Sequence, residues 1–238
     1  QCDQRIALSL VLDRSGSMSG QESAVRTFGM TILDQLNIAP SHSQGSVVMF
    51  NSNSQVTQSM TAVRSQIEDD INAYGTSSYP TSGGTHINAG LLSAKAQLDP
   101  LSSGTYLKLV IVLTDGEQNS QYEPPTAVDT ADTLKQAGIT IIAVGFGGVS
   151  SATLNGMASL PTNQHSYLGT DIAAITEHFQ SNLCDLLMAP PSPPPSPPSP
   201  PPPNPSPPSP SPPPPMPSAP VGGPTPPPPP PSPTPSPP

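Results

Sequence analysis

Three stretches of the chain are almost unbroken in aliphatic residues: Ile6–Leu12, Leu107–Leu113 and Ile139–Val144. Such runs predict strands buried on both faces, as in the middle of a parallel sheet. Elsewhere apolar residues return at steps of three and four. Val25, Phe28, Ile32 and Leu36 form one stripe, Ile87, Leu91, Ala94 and Leu98 a second, and Ile172, Ile175, Phe179 and Leu183 a third. Each stripe predicts a helix with one face on a core. Gly138, directly after Lys135-Gln136-Ala137, marks a helix stop. Val47–Phe50 and Gln55–Met60 read as shorter strands joined by the polar turn Asn51-Ser52-Asn53-Ser54, a hairpin. The order is then strand, helix, hairpin, helices, strand, helix, strand, helix. It predicts an α/β fold: a doubly wound, mostly parallel open sheet with helices on both faces. In such sheets ligands bind at the carboxyl ends of the strands, where the strand order reverses. Asp13 and Asp115 each follow a buried run and fall at such an end.

The pattern stops near residue 189. From Pro190 to Pro238 the chain holds 32 of its 38 prolines, with Ser, Thr and a few small residues, and no charged side chain. Residues 1–189 are long enough to bury a core as one domain. Residues 190–238 are not a second core, because they offer little apolar surface and proline cannot donate to a backbone ladder. They predict a polyproline II rod. The net charge of −9 lies entirely on the first part, with seven scattered basic residues. That distribution argues against a nucleic-acid partner. No stretch approaches the ~20 apolar residues of a membrane-spanning helix. The chain starts Gln1-Cys2 with no initiator methionine, so a leader that has been removed or left out is expected.

Cys2 and Cys184 are the chain's two cysteines and sit at the two edges of the first part. Their placement favours a disulfide between the start of the first strand and the last helix, formed in an oxidising compartment. A loop of this length would gain about 5 kcal/mol in the chain-entropy description. The alternative is a pair of buried free thiols.

Candidate chemistry is concentrated in three polar clusters: Asp13-Arg14-Ser15-Gly16-Ser17, Ser82-Gly83-Gly84-Thr85-His86 and Thr114-Asp115-Gly116-Glu117. Loops carrying them can converge at one sheet edge and supply two carboxylates with three hydroxyls. Hard oxygen donors of this kind suit Mg²⁺, Mn²⁺ or Ca²⁺. The competing reading is a set of helix caps without a metal, since Ser, Thr and Asp are also N-cap residues.

Asp-x-Ser-x-Ser after the first strand, a Gly-Gly-Thr loop and a later Thr-Asp-Gly together resemble the von Willebrand factor A domain. The resemblance covers nearly all of residues 5–187, with every motif position filled. It implies a metal-ion-dependent adhesion site (MIDAS). Ser15, Ser17 and Thr85 would be hydroxyl ligands, while Asp13 and Asp115 would act mostly through bound water or hydrogen bonds to the ligands. Neutral hydroxyls leave the cation's charge poorly quenched and one coordination position open, so an Asp or Glu of a protein partner could complete the shell. Mg²⁺ is the expected ion.

Other residues weigh less. Asp13, Ser15 and His86 could be imagined as a hydrolase triad, but no Gly-x-Ser-x-Gly elbow is present. The four histidines lack His-Glu-x-x-His spacing, which excludes a zinc protease of that type. No enzymatic activity is therefore expected. His86, Glu117 and Tyr79 are candidates for the rim of the ligand site. His86 can equally start a helix, and Glu117 can be a solvated acid. Tyr74, Tyr79 and Tyr122 all fall in segments expected to be loops near the motifs.

The Ser-Pro-Pro blocks of residues 190–238 resemble hydroxyproline-rich glycoproteins of plant and green-algal walls, such as extensins and pherophorin-type rods. That resemblance implies hydroxylated, O-glycosylated prolines and packing with other proline-rich chains, including copies of itself. The combined expectation is a secreted adhesion or assembly module of a cell wall, extracellular matrix or surface (flagellar) fibre. Two alternatives stand beside it: a purely structural glycoprotein whose metal only stiffens the fold, and an accessory domain of a larger extracellular enzyme.

Overall fold

The computed structural model describes residues 2–102, 104–188, 223 and 227–228. The chain divides into two compact units, Gln1–Pro194 and Pro195–Pro238. Of the second unit, Gly223, Pro227 and Pro228 are described and have no regular secondary structure. The expected polyproline rod and the expected boundary at residue 189 lie outside the described residues.

The first unit alternates strands and helices. In chain order they are β1 (Ile6–Asp13), α1 (Glu22–Asp34), β2 (Gln44–Phe50), β3 (Ser54–Thr61), α2 (Arg64–Ala73), α3 (Ile87–Leu98) and β4 (Leu107–Thr114). There follow α4 (Ala127–Gln136), β5 (Thr140–Gly145), α5 (Ser151–Met157), α6 (Thr162–His165), β6 (Ser166–Leu168) and α7 (Ile172–Met188). The strands form one sheet in the order β3-β2-β1-β4-β5-β6. All neighbours are parallel except β2 and β3, which form the expected antiparallel hairpin.

Side chains alternate across the strands, which explains their continuous hydrophobicity. Leu8, Leu10 and Leu12 of β1 join Leu109, Ile111 and Leu113 of β4 in one buried layer under α1, α2 and α7. Ala7 and Val11 join Val110 and Val112 in the opposite layer, under α3, α4 and α5. The buried hydroxyls of Ser9 and Ser46 meet at 3.0 Å across the β1–β2 pair, so neither is left unsatisfied inside the sheet.

The structure adds to the expected elements at their ends. β1 runs on to Asp13 and β4 to Thr114, so polar residues are the last rungs of both central strands. β6 was not expected. It is three residues long, Ser-Tyr-Leu, and carries no apolar run to announce it. It nonetheless pairs with β5 through Ala143, Val144 and Gly145.

A disulfide joins Cys2, ahead of β1, to Cys184 in α7, with the two Cα atoms 5.2 Å apart. The same corner is held by Cys2 N–H donating to the Gln35 carbonyl and by Gln35 Nε2 donating to the Gln180 carbonyl. Phe28 of α1 meets Phe179 of α7 edge-on, ring centroids 6.1 Å apart. These contacts fix α7 against α1.

Candidate metal centre

From β1 the chain passes through α1 to β2 on one side, while β4 lies on the other side of β1. The connections diverge here and leave a crevice at the carboxyl ends of β1 and β4. The three polar clusters meet there.

Asp13 is fully buried at the end of β1. Its Oδ1 accepts from the Ser15 N–H at 2.7 Å, and its Oδ2 accepts from Thr114 Oγ1 at 2.7 Å. Its backbone carbonyl accepts from the hydroxyl of Tyr74, whose ring is also buried. Burial pushes the Asp13 carboxyl up to about 6, against the pull of the bonds from Thr114 and Ser15, and the nearby Asp115 charge adds to the rise.

Ser15 Oγ and Ser17 Oγ lie 3.0 Å apart, and Ser17 Oγ donates to Asp115 Oδ1 at 2.7 Å. The first and third clusters are thus in direct contact across 98 positions of sequence. The middle cluster is stitched to the first through the backbone. Gly16 N–H donates to the Gly83 carbonyl at 3.0 Å, and Ser82 N–H donates to the Arg14 carbonyl at 2.9 Å. Thr85 is positioned by Asn119, whose Oδ1 accepts from Thr85 N–H and whose own N–H donates to the Thr85 carbonyl. A Cβ on Gly116 would stand 3.9 Å from Thr85 Oγ1, which places that hydroxyl beside the third cluster. Gly84 has no room for a side chain, since a Cβ there would approach Asn119 Oδ1 to 2.5 Å. Asp13, Ser15, Ser17, Thr85 and Asp115 are therefore gathered at one sheet edge.

Two features test whether this donor set fits a cation. First, no basic side chain bonds to either carboxylate among the described residues. Arg14 instead donates from Nη1 to the Pro80 carbonyl. Second, the hydroxyls are not spent on capping. Ser15 precedes the 3₁₀ turn Gly16–Met18 without a side-chain cap bond, and α3 begins after His86 with none. The cap-only reading therefore does not describe this cluster. Among the described residues no three His, Cys, Asp or Glu side chains converge on one point. The set has only two carboxylates, so hydroxyls must supply the rest, and that favours a hard cation over zinc-type ligation. The residues fit a divalent ion bound by oxygen.

The three rim candidates have different fates. His86 stacks on Tyr122 with ring centroids 4.1 Å apart and planes within 5°. Its Nδ1 lies 3.3 Å from the Ser52 carbonyl. Glu117 directs its carboxylate to the start of α5, accepting from Ser150 N–H at 2.7 Å and Thr153 Oγ1 at 2.6 Å. Partial burial would raise its pKa, but these bonds outweigh it and hold Glu117 below the ordinary glutamate range. It is neither a free rim acid nor merely solvated. Tyr79 bridges to Tyr74 through the main chain and packs against the layer under α1, α2 and α7. Tyr122 also stands at the crevice, its hydroxyl 3.3 Å from where a Gly84 Cβ would stand.

Several supporting residues have roles that the sequence does not show; Tyr74, expected in a loop near the motifs, instead ends α2 with its ring buried. Tyr74 and Asn119 reach the site from 61 and 34 positions away from the residues they hold. Ser52, in the hairpin turn, accepts from Gly84 N–H at 2.9 Å through its hydroxyl.

A doubly wound sheet with this hydroxyl and carboxylate cluster at its switch point defines a class of oxygen-ligand α/β domains. The chain belongs to the von Willebrand factor type A domain family, whose model matches residues 8–181. Human (Homo sapiens) calcium-activated chloride channel regulator 4 is 29% identical over 168 residues, spanning 71% of this chain and 17% of that protein. Chicken (Gallus gallus) matrilin-1 is 27% identical over 189 residues, spanning 74% of this chain and 36% of that protein. Among solved structures, proximal thread matrix protein 1 from the mussel byssus, with a zinc-occupied MIDAS motif, superimposes with a TM-score of 0.67. That likeness, at 22% identity over 79% of this chain and 46% of the other, shows the shared fold. The chain spans less than half the length of each of these relatives.

Proposed function

We propose that the domain is a metal-dependent adhesion or assembly module of an extracellular matrix, wall or surface fibre, without enzymatic activity of its own. The observation that carries this is the convergence of Ser15, Ser17 and Thr85 with Asp13 and Asp115 at the β1–β4 crevice, with no basic side chain among the described residues bonded to either acid. Family membership and the zinc-occupied MIDAS of the byssus matrix protein support it.

In this reading the hydroxyls of Ser15, Ser17 and Thr85 hold the ion, Mg²⁺ in physiological conditions. The ion supplies an incompletely neutralised positive charge that attracts a carboxylate. Asp13 and Asp115 orient the hydroxyls and balance part of that charge. Thr114 and Tyr74 keep Asp13 in place. A partner protein contributes an Asp or Glu, and His86 and Tyr122 present a flat aromatic edge beside it. Among the described residues no helix is long and apolar enough to cross a membrane. The proline-rich residues 190–238, carrying O-linked glycans on hydroxylated prolines, would link the domain to similar chains of the matrix.

The test is capture of extracellular proteins of the source tissue by immobilised domain in Mg²⁺ and in EDTA, beside Asp13→Ala. Adhesion predicts retention in Mg²⁺, loss in EDTA and in D13A, and an unchanged circular dichroism spectrum throughout. Retention of the same proteins in all three arms would overturn it and leave the structural role.

A further inference from the structure

At the opposite end of the sheet from Asp13, an open recess of about 350 Å³ lies at the start of β1 and β4. We propose that it is an oxyanion site, taking one sulfate or phosphate group.

Lys108 is the centre of the case. It is the second residue of β4 and lines the recess, yet it is only 7% exposed. Its carbon stem is buried while its ammonium group still reaches solvent, so the stem aims an unpartnered charge into the recess. Among the described residues Lys108 has no ion pair and no side-chain hydrogen bond, whereas Arg64, Lys95 and Lys135 are all paired with acids. Arg14 and Arg26 each donate to a backbone carbonyl. Arg5 is the second basic residue without a side-chain partner among the described residues, and it lines the same recess. Gln4 and Thr105, also in the lining, have side-chain donors without partners there.

The acids point the same way. The chain has 16 Asp and Glu against 7 Lys and Arg, yet no carboxylate lines this recess. Its two unpaired cations therefore face one concavity, with neutral donors between them. That is a complement for a compact, doubly charged anion, with Lys as a point charge and Arg as a planar fork. A strand of eight residues at ~3.3 Å each separates the recess from the Asp13 cluster by ~25 Å, so the two sites are independent.

The experiment is a titration of the ¹⁵N-labelled domain with sodium sulfate, sodium phosphate and dextran sulfate. It is run in EDTA at constant ionic strength set with chloride, with thermal melts alongside. Expected are saturable shifts confined to the amides around Arg5, Thr105, Lys108 and Gly138, and a raised melting temperature. Both are weakened at least fivefold in Arg5→Gln and in Lys108→Met. Arg5 is exposed, so R5Q keeps the fold. K108M keeps the buried stem and removes only the unpartnered charge at its tip, so it melts close to the parent without anion. Tighter binding of dextran sulfate than of either free salt identifies a polymer-borne group, and tighter binding of a free salt identifies a solute. Shifts that never saturate, that chloride reproduces, or that persist in both variants overturn the proposal.

Discussion

Thr114 Oγ1 donates a 2.7 Å hydrogen bond to Asp13 Oδ2, so the last residue of one central strand fixes the carboxylate at the end of its neighbour. The same hydroxyl lies 3.0 Å from the Gly116 carbonyl. Replacing it with the similarly shaped Thr114→Val leaves a buried carboxylate short of a donor. A hydrogen bond to a charged group is worth about 1.5–3 kcal/mol net. T114V should lose that much stability in EDTA, measured by urea denaturation. An unchanged midpoint would show that Asp13 is held mainly by the backbone.

Cation binding should stabilise the domain by mass action. At 100 times its dissociation constant, Mg²⁺ adds about 2.7 kcal/mol. Ser17 is exposed, so Ser17→Ala should fold normally and yet show a much smaller rise in melting temperature with added Mg²⁺. Equal rises in both proteins would remove Ser17 from the ion's shell.

Glu117 predicts a specific acid sensitivity. Its carboxyl is held below its ordinary value of 4.5 by Thr153 and Ser150 despite partial burial. A group depressed in the folded state contributes stability above its unfolded pKa and loses it as pH falls through the folded one. Glu117→Gln should therefore narrow the stability gap between pH 6 and pH 3, approximately, in melts at stepped pH. The two proteins should converge at the acid end.

Gly90 tests the packing of α3. A Cβ there would approach Phe50 Cδ1 to 2.9 Å and Val11 Cγ1 to 3.0 Å, and both neighbours are fully buried. Overpacking typically costs 1–3 kcal/mol, roughly, which exceeds the gain of about 1 kcal/mol from alanine's helix propensity. Gly90→Ala should lower stability by chemical denaturation, and a stabilised variant would show that Phe50 can yield.

Much of this molecule was legible from local pattern. Leu8 to Leu12 had to be interior, and a carboxylate directly after them had to find a partner. Ser15, Ser17, Thr85 and Asp115 were legible because each sits in a short polar cluster beside an apolar segment. What was not legible depends on contacts across the fold. Tyr74 buries its ring in the core and offers only a hydroxyl to the Asp13 carbonyl. Glu117, next to the motif, turns to α5 because unpaired donors of Ser150 and Thr153 await it there. Lys108 was concealed inside an aliphatic run, where one polar residue did not alter the strand pattern.

The Cys2–Cys184 bridge also sets how the domain carries tension. Cys184 stands four residues before the end of α7, so load from the following chain reaches the bridge almost at once. It then crosses to the amino-terminal end of β1, the strand paired along its length with both β2 and β4. Were a partner held at the Asp13 cluster, as proposed, a pull between that end and the cluster would run parallel to β1. That strand is already extended and is held on both sides by backbone ladders, so it has little length to give, and the first three turns of α7 are bypassed. In the proposed role the first unit would thus carry a load along β1, from the disulfide to the Asp13 cluster.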